Sequence, residues 1–129
     1  MDLIKKNFGF GCMRLPMRDG EVDTEEFSRM VDSFLENGFN YFDTAHGYLK
    51  GKSETALKTC LTSRYPRDRY ILTNKLTNFF FQKQEDIRPF FESQLAACGV
   101  DYFDARVIIR PSQRNPVKSR VEPDLVLLF

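Results

Sequence analysis

Two segments of the chain resemble each other, and this repeat constrains the fold more than any other feature. Gly38-Phe-Asn-Tyr-Phe-Asp43 and Gly99-Val-Asp-Tyr-Phe-Asp104 each start at a glycine that follows a helical pattern and end at a carboxylate. Glycine commonly ends a helix, and a short apolar run bounded by such signals is typical of a buried strand. The repeat therefore predicts a fold built from similar units, each joining a helix to a strand.

Four strands and three helices are predicted from the pattern around these junctions. The strands are expected over residues 8–12, 40–43 and 70–73 and from about residue 102, a spacing of about 30 residues that suits strand-helix units in a parallel sheet. Asp23 is expected to cap the first helix, the oxygen of Ser53 to cap the second, and Gly99 to close the third. Apolar residues recur at helical spacing in all three helices; in the first they are Phe27, Met30, Val31, Phe34 and Leu35.

The order of these units predicts an α/β fold, a partial (β/α)8 TIM barrel of about four parallel strands and three helices. Right-handed crossovers between successive parallel strands place every helix on one face of a sheet that keeps curling. A small doubly wound sheet is the alternative. From residue 110 onward Pro111, Pro116 and Pro123 interrupt the chain and no helical stripe follows. We therefore expect a half barrel over residues 1–109 and an irregular, disordered tail over residues 110–129.

Three polar side chains are expected to meet where the predicted strands end. Asp43, Tyr48 and Lys75 lie at or just after two strand ends, and the carboxyl ends of barrel strands share one mouth. An ammonium beside a phenol stabilises the phenolate, so Lys75 would tune Tyr48 as a general acid while Asp43 orients the lysine. This chemistry needs no metal. Each residue taken alone also has a purely structural explanation. Asp43 would cap a loop, Tyr48 would be a half-buried aromatic in a turn, and Lys75 would be a solvated charge. His46 is assigned no role.

Five motifs in order along the chain resemble the aldo-keto reductase family, and the resemblance covers roughly residues 7 to 104. They are Gly9-Phe-Gly-Cys-Met-Arg-Leu-Pro16, Phe42-Asp-Thr-Ala-His-Gly-Tyr48, Lys52-Ser-Glu54, Thr73-Asn-Lys-Leu76 and Gly99-Val-Asp-Tyr-Phe-Asp104. The resemblance implies NADP(H)-dependent reduction of a carbonyl in a barrel, and the pattern is also similar to bacterial members that carry a ferredoxin-like extension.

The resemblance also implies roles for individual residues. Asp43, Tyr48 and Lys75 match three of the four catalytic residues of the family. The fourth is usually a histidine that ends the strand after the Tyr-Phe-Asp motif, whereas Ile109 stands at about that position here, and its side chain cannot donate a hydrogen bond. After Asp104 the family pattern is lost, which a shifted reading frame or a truncated gene would explain.

Cofactor contacts from the early strands are implied at Gly11, Cys12, Met13 and Asp43, next to the nicotinamide, while most cofactor contacts in the family come from later strands. A structural explanation stays open for two of them. Gly11 is also typical of a tight strand end, and Cys12 of a small core side chain.

Composition excludes several classes of partner. With 19 Lys and Arg against 18 Asp and Glu the net charge is +1, so no basic surface is expected to bind nucleic acid. No apolar run approaches the roughly 20 residues that cross a bilayer. The three cysteines are far apart and no signal peptide is visible, which favours a reducing, cytoplasmic setting.

Two hypotheses about function follow. The first is an aldo-keto reductase-like oxidoreductase in which hydride passes from nicotinamide to a small carbonyl substrate and Tyr48 donates the proton. The second, favoured for this chain in isolation, is a truncated or frameshifted non-catalytic remnant or an interaction module. An open four-stranded sheet exposes two edges, so self-association or dependence on a partner is expected.

Overall fold

The computed structural model describes residues 3–109, and its main feature is a parallel sheet of four strands. The predicted tail at residues 110–129 lies outside the described residues. In chain order the elements are β1 (Gly9–Gly11), β2 (Met17–Arg18), β3 (Glu21–Val22), α1 (Thr24–Glu36), β4 (Tyr41–Asp43), α2 (Lys52–Leu57), β5 (Ile71–Thr77), α3 (Ile87–Cys98) and β6 (Ala105–Ile109).

The strand order identifies the type of sheet. The four strands lie in the order β1-β4-β5-β6, which is also their order along the chain, and every neighbouring pair is parallel. A doubly wound sheet reverses its strand order at a switch point, whereas a barrel adds strands in sequence. The predicted partial barrel is therefore confirmed, and within residues 3–109 it does not close.

The two faces of the sheet differ because side chains alternate along each strand. Phe42 and Leu72 are fully buried in the hydrophobic core that the sheet shares with the helices. The next residues, Asp43 and Thr73, point to the opposite face, which corresponds to the inside of a barrel. The sheet thus packs its apolar side under the helices and presents polar side chains inward.

Packed phenylalanines join α1 to the first two strands of the parallel sheet. The ring of Phe10 lies 5.7 Å from the ring of Phe27, 5.4 Å from that of Phe34 and 5.7 Å from that of Phe42. Aromatic pairs at these distances add to the stability that apolar burial gives. This cluster fixes β1 and β4 side by side, and with them the mouth of the barrel.

The predicted ends of α1 and α3 are confirmed. Asp23 Oδ1 accepts a hydrogen bond from the Glu26 amide at 3.0 Å, which satisfies one free N–H of the first turn of α1. Gly38, just beyond the other end of α1, has a φ of +86°. Gly99 ends α3 with a φ of +68°, a conformation that favours glycine.

Other local predictions were wrong in detail. The second helix begins at Lys52, with Gly51 before it at a φ of +87°, and Ser53 does not cap it. Ser53 Oγ instead donates to the carbonyl oxygen of Cys12 at 2.8 Å, so a tertiary contact takes the oxygen that a local cap would use. The third parallel strand runs on to Thr77, and the fourth begins at Ala105 rather than near residue 102.

A small hairpin, β2–β3, was not predicted. It pairs Met17 with Val22 and Arg18 with Glu21, and its turn contains Asp19 and Gly20 at φ values of +53° and +80°. An Asp-Gly pair is a strong signal for such a turn. The hairpin leads from β1 into α1, and the Glu21 carboxylate accepts a hydrogen bond from Lys52 Nζ at 2.8 Å.

Candidate active site

The last residue of β4 and a residue of β5 form an ion pair on the inner face of the sheet. Lys75 Nζ donates to Asp43 Oδ2 at 2.5 Å and to the carbonyl oxygen of Thr44 at 3.3 Å. In the ladder Asp43 lies opposite Thr73, so Lys75 is two residues further along β5 and on the same face. Lys75 therefore reaches back to the end of the shorter strand.

Two opposing influences act on the ammonium of Lys75. Burial lowers the pKa of this lysine, since the charged form loses hydration. The hydrogen bond that Lys75 donates to Asp43, together with the interactions of Tyr48 and the charge of Asp43, outweighs this effect and raises the pKa of Lys75 above its ordinary value. Lys75 is thus held in its charged form at neutral pH.

Tyr48 lies against this ion pair. The ammonium of Lys75 lies over the Tyr48 ring, with Nζ 4.8 Å from the ring centroid, and the Tyr48 side chain is half-buried. The Tyr48 amide donates to the carbonyl oxygen of Ala45 at 3.1 Å, closing a turn after β4. The structure therefore brings together all three residues that the sequence places at the strand ends.

The backbone directly after Tyr48 is strained. Leu49 and Lys50 have φ values of +51° and +56°, the left-handed region that residues other than glycine seldom occupy. Gly51 continues this path before α2 begins. Such strain persists only where the surrounding structure enforces it, and here it lies next to the candidate proton donor.

Buried amide side chains hold the peptide of Lys75. Because β4 ends at Asp43, the backbone of Lys75 extends beyond the β4–β5 ladder and needs other hydrogen-bond partners. Asn74 Oδ1 accepts from the Lys75 amide at 2.8 Å, and Gln94 Nε2 of α3 donates to the Lys75 carbonyl at 3.0 Å. Both amide side chains are almost completely buried.

Glu54 and His46 are two further polar residues of this region that were not predicted as site residues. Glu54 of α2 is 1% exposed, and its carboxylate accepts from Asn74 Nδ2 at 2.9 Å. Its other oxygen lies 3.0 Å from Nδ1 of His46. The local sequence pattern assigns Glu54 no role in the site. Its place in the Lys-Ser-Glu motif, followed by Asn74 in the Thr-Asn-Lys motif, was the available signal.

The residues implied as nicotinamide neighbours differ in their exposure. Gly11 pairs with Asp43 in the ladder, and no atom lies within 4 Å of the place where a Cβ would stand. Met13 is 57% exposed. The side chain of Cys12 is completely buried in the core, where burial and then the charge of Asp43 raise the pKa of its thiol to about 12. Cys12 thus packs as a small core residue, and no part of it is exposed to a ligand. Its N–H donates to the Asp43 carbonyl at 2.9 Å.

The fourth strand provides no imidazole at this mouth. In the β5–β6 ladder Val107 lies opposite Lys75 and Ile109 opposite Thr77. The strand reads Ala-Arg-Val-Ile-Ile, and the one histidine of the chain is His46. The position at which the family resemblance implies a histidine is therefore apolar.

Comparisons with known proteins agree with the observed fold. The family model described as the aldo/keto reductase family matches residues 7–122. Norsolorinic acid reductase B of Dothistroma septosporum is 33% identical over 69 residues. An aldo-keto reductase from Klebsiella pneumoniae, solved in complex with NADPH, superposes with a TM-score of 0.64 at 22% identity. The holo form of an aldo-keto reductase from Bacillus halodurans gives 0.63 at 31% identity.

The chain spans only part of each of these proteins. It covers 18% of the Dothistroma relative, with 54% of its own length aligned. It covers 34% of the Klebsiella structure and 35% of the Bacillus structure, in each case with 78% of its own length. Within the described part of the chain, no helix is both long enough and apolar enough to cross a membrane.

Proposed function

The chain belongs to the aldo/keto reductase family, and we propose that Asp43, Tyr48 and Lys75 form the proton-donating part of an NADP(H)-dependent carbonyl reductase site. The observation that carries the proposal is the position of the Lys75 ammonium, hydrogen-bonded to Asp43 and over the ring of Tyr48. A phenol, a cation beside it and a carboxylate that fixes the cation are the groups that general acid catalysis on a carbonyl oxygen needs.

Each of the three side chains has a distinct task. Tyr48 donates its phenolic proton to the carbonyl oxygen as negative charge develops there. Lys75 stabilises the phenolate that remains, because its positive charge lies over the ring. Asp43 keeps Lys75 charged and oriented. Bound NADPH supplies the hydride that reduces the carbonyl carbon.

The open rim of the sheet fits the nicotinamide end of such a cofactor. Gly11 has space where a side chain would stand, and it lies opposite Asp43. We propose that Gly11, Met13 and Asp43 contact the cofactor there, whereas the fully buried Cys12 supports this rim from the core. The NADPH named with the Klebsiella protein supports NADP(H) as the cofactor of this family.

The substrate and the cellular setting are proposals of the same kind. We propose a small aldehyde or ketone as substrate, in keeping with relatives named as reductases and dehydrogenases. Cys12, Cys60 and Cys98 are all buried and free, which favours a reducing compartment such as the cytoplasm. Nucleic acid is not a proposed partner, given the net charge of +1.

A non-catalytic interaction module is the second candidate, and β6 is the observation that favours it. Without an imidazole at Val107 or Ile109, the carbonyl oxygen lacks one hydrogen-bond donor that the family resemblance implies. The edges of β1 and β6 would then pair with another chain or with a second copy.

Ligand titration and turnover separate the two candidates. The full chain is titrated with NADPH, followed by fluorescence, and then assayed for NADPH oxidation with small aldehydes and ketones. The reductase proposal expects binding, and in the Tyr48→Phe variant a loss of about 100-fold or more in kcat with unchanged NADPH affinity. No binding at millimolar NADPH, or equal turnover by Tyr48→Phe, would leave the interaction module as the better account.

A further inference from the structure

A buried carboxylate outside the proposed catalytic group has no part in the reaction just described. Glu54 is 1% exposed, and an ionised carboxylate withdrawn from water is costly unless hydrogen bonds and charges compensate it. Its two oxygens face two different elements: Asn74 Nδ2 of β5 at 2.9 Å and His46 Nδ1, in the loop after β4, at 3.0 Å. Glu54 therefore links that loop to β5.

On the β5 side, this link continues to the backbone of Lys75. Asn74 uses its amide nitrogen for Glu54 and its amide oxygen for the Lys75 N–H. Glu54 thus sets the orientation of the Asn74 side chain. It thereby also sets the hydrogen bond from the Lys75 N–H to Asn74, which replaces the partner that β4 does not provide. This contact therefore fixes the position of the end of β5 that carries the Lys75 ammonium.

On the loop side, the link ends two residues before Tyr48. The His46 ring packs edge-on against Phe80 and Phe90, with centroid distances of 4.8 Å and 5.1 Å. Fixing His46 also fixes the start of the turn that the Tyr48 amide closes onto Ala45. The same carboxylate therefore acts on both segments that carry the proposed chemistry.

We propose that His46 is a positioning residue which, through Glu54 and Asn74, ties the turn carrying Tyr48 to the strand carrying Lys75. The inference rests on the proposed function for the roles of Tyr48 and Lys75. It does not make His46 a substitute for the imidazole missing from β6, because Asn74 and Glu54 lie on the helix-covered side of the sheet, where Asn74 also contacts Cys98 of α3.

The arrangement makes a specific demand on the imidazole of His46. A carboxylate oxygen can only accept, so Nδ1 must carry a hydrogen in the neutral ring as well as in the charged one. Since His46 is the one histidine in the chain, its ring nitrogens are read without ambiguity in the ¹⁵N NMR spectrum of the full chain. We expect the Nδ1–H tautomer.

Three variants of the full chain test the positioning role through Lys75. His46→Phe keeps an aromatic ring between Phe80 and Phe90 but removes the donor, whereas His46→Asn keeps an N–H donor close to the position of Nδ1. Thr62→Val is the matched control, because it removes a partly buried hydrogen bond, Thr62 Oγ1 to the Cys98 carbonyl at 2.7 Å, that is not part of the link. The ¹³C signal of the Lys75 Cε reports the pKa of Lys75 in each variant.

Loosening the link should weaken the contact of Lys75 with Asp43. In His46→Phe the pKa of Lys75 should fall toward its ordinary value. His46→Asn should restore most of the raised pKa, and Thr62→Val should leave it unchanged even if the melting temperature drops. An Nε2–H tautomer, an unshifted Lys75 in His46→Phe, or an equal shift in Thr62→Val would overturn the inference. These NMR measurements need neither cofactor nor turnover, so they can contradict the positioning role of His46 without contradicting the reductase proposal.

Discussion

At Lys75, burial and charge act in opposite directions on one ammonium group. The side chain is 17% exposed and its partner Asp43 is 29% exposed, so solvent screens this pair less than a surface pair. Removing only one member of a partly buried ion pair leaves the other charge without compensation. The stability of the site therefore depends on Asp43 as much as its chemistry does.

Asp43→Asn should lower the free energy of unfolding by about 1–3 kcal/mol at pH 7, measured by urea denaturation. Glu21→Gln is the control, because it breaks the exposed Lys52–Glu21 pair and should change stability by less than about 0.5 kcal/mol. Equal effects of the two substitutions would show that the Asp43–Lys75 pair is no stronger than a surface contact.

The same pair predicts how stability depends on pH. The folded-state pKa of Lys75 is raised above the ordinary value of 10.5, so its stabilising contribution is complete below that pH. It is lost as the pH rises through the higher folded-state value. The stability difference between wild type and Asp43→Asn should therefore shrink above about pH 10.5, and a difference that grows there would contradict the assigned direction.

Asp43, Tyr48 and Lys75 could be predicted from the sequence because strand ends share one edge of a parallel sheet. The link from His46 through Glu54 to Asn74 could not. Glu54 and Asn74 are 20 residues apart in the chain, and local patterns carry no information on which buried groups will meet. Both residues stood within recognised motifs, but a motif does not show that a carboxylate is buried.

Among the elements, the segment between Tyr48 and α2 departs furthest from local preference. Leu49 and Lys50 adopt left-handed backbone angles, which cost a non-glycine residue roughly 1–2 kcal/mol each. Local sequence does not favour this path. The surrounding structure imposes it, and the strained segment starts directly after the proposed proton donor.

Lys50→Gly should relieve part of this strain. Glycine adopts the left-handed region freely but loses more entropy on folding, so a net gain of about 0.5 kcal/mol in the free energy of unfolding is expected. Thermal denaturation followed by circular dichroism measures it. Lys83→Gly, at an exposed position with an ordinary φ of −119°, should instead destabilise the chain. A loss of stability in Lys50→Gly equal to that in Lys83→Gly would argue against strain at this turn.

Most of the elements could be predicted from the sequence, and the errors in predicting the others have two different causes. α1 and α3 follow from apolar periodicity with a cap or a glycine at the end, both of which are local signals. Ser53 is a good cap by type, but its hydroxyl bonds the Cys12 carbonyl and contacts Thr44 Oγ1 at 2.8 Å. The Asp19-Gly20 turn is the opposite case, because an Asp-Gly pair is by itself a local signal for a hairpin turn.

For the whole molecule, the described sheet leaves β1 and β6 as its outer strands. Unpaired strand edges are ready partners for other chains, and the inner face beside β6 carries apolar side chains such as Val107. We propose self-association at this edge. A lysine on an edge strand opposes such pairing because its charge resists burial.

Val107→Lys should therefore shift the full chain toward the monomer in sedimentation velocity runs at matched concentrations. Lys83→Gly, far from both edges in sequence, serves as the control and should sediment like the wild type. A wild-type chain that is monomeric at all concentrations, or a variant that associates as strongly as the wild type, would rule out association through β6.

The proposed site depends most on the meeting of a carboxylate, a phenol and an ammonium at the mouth of the partial barrel. Nuclear Overhauser effects between the Lys75 Hε protons and the Tyr48 ring protons test this meeting directly, since such effects require separations of about 5 Å or less. With Nζ 4.8 Å from the ring centroid, we predict clear cross-peaks. Their absence, in a spectrum that still shows the β4–β5 strand contacts, would contradict the account.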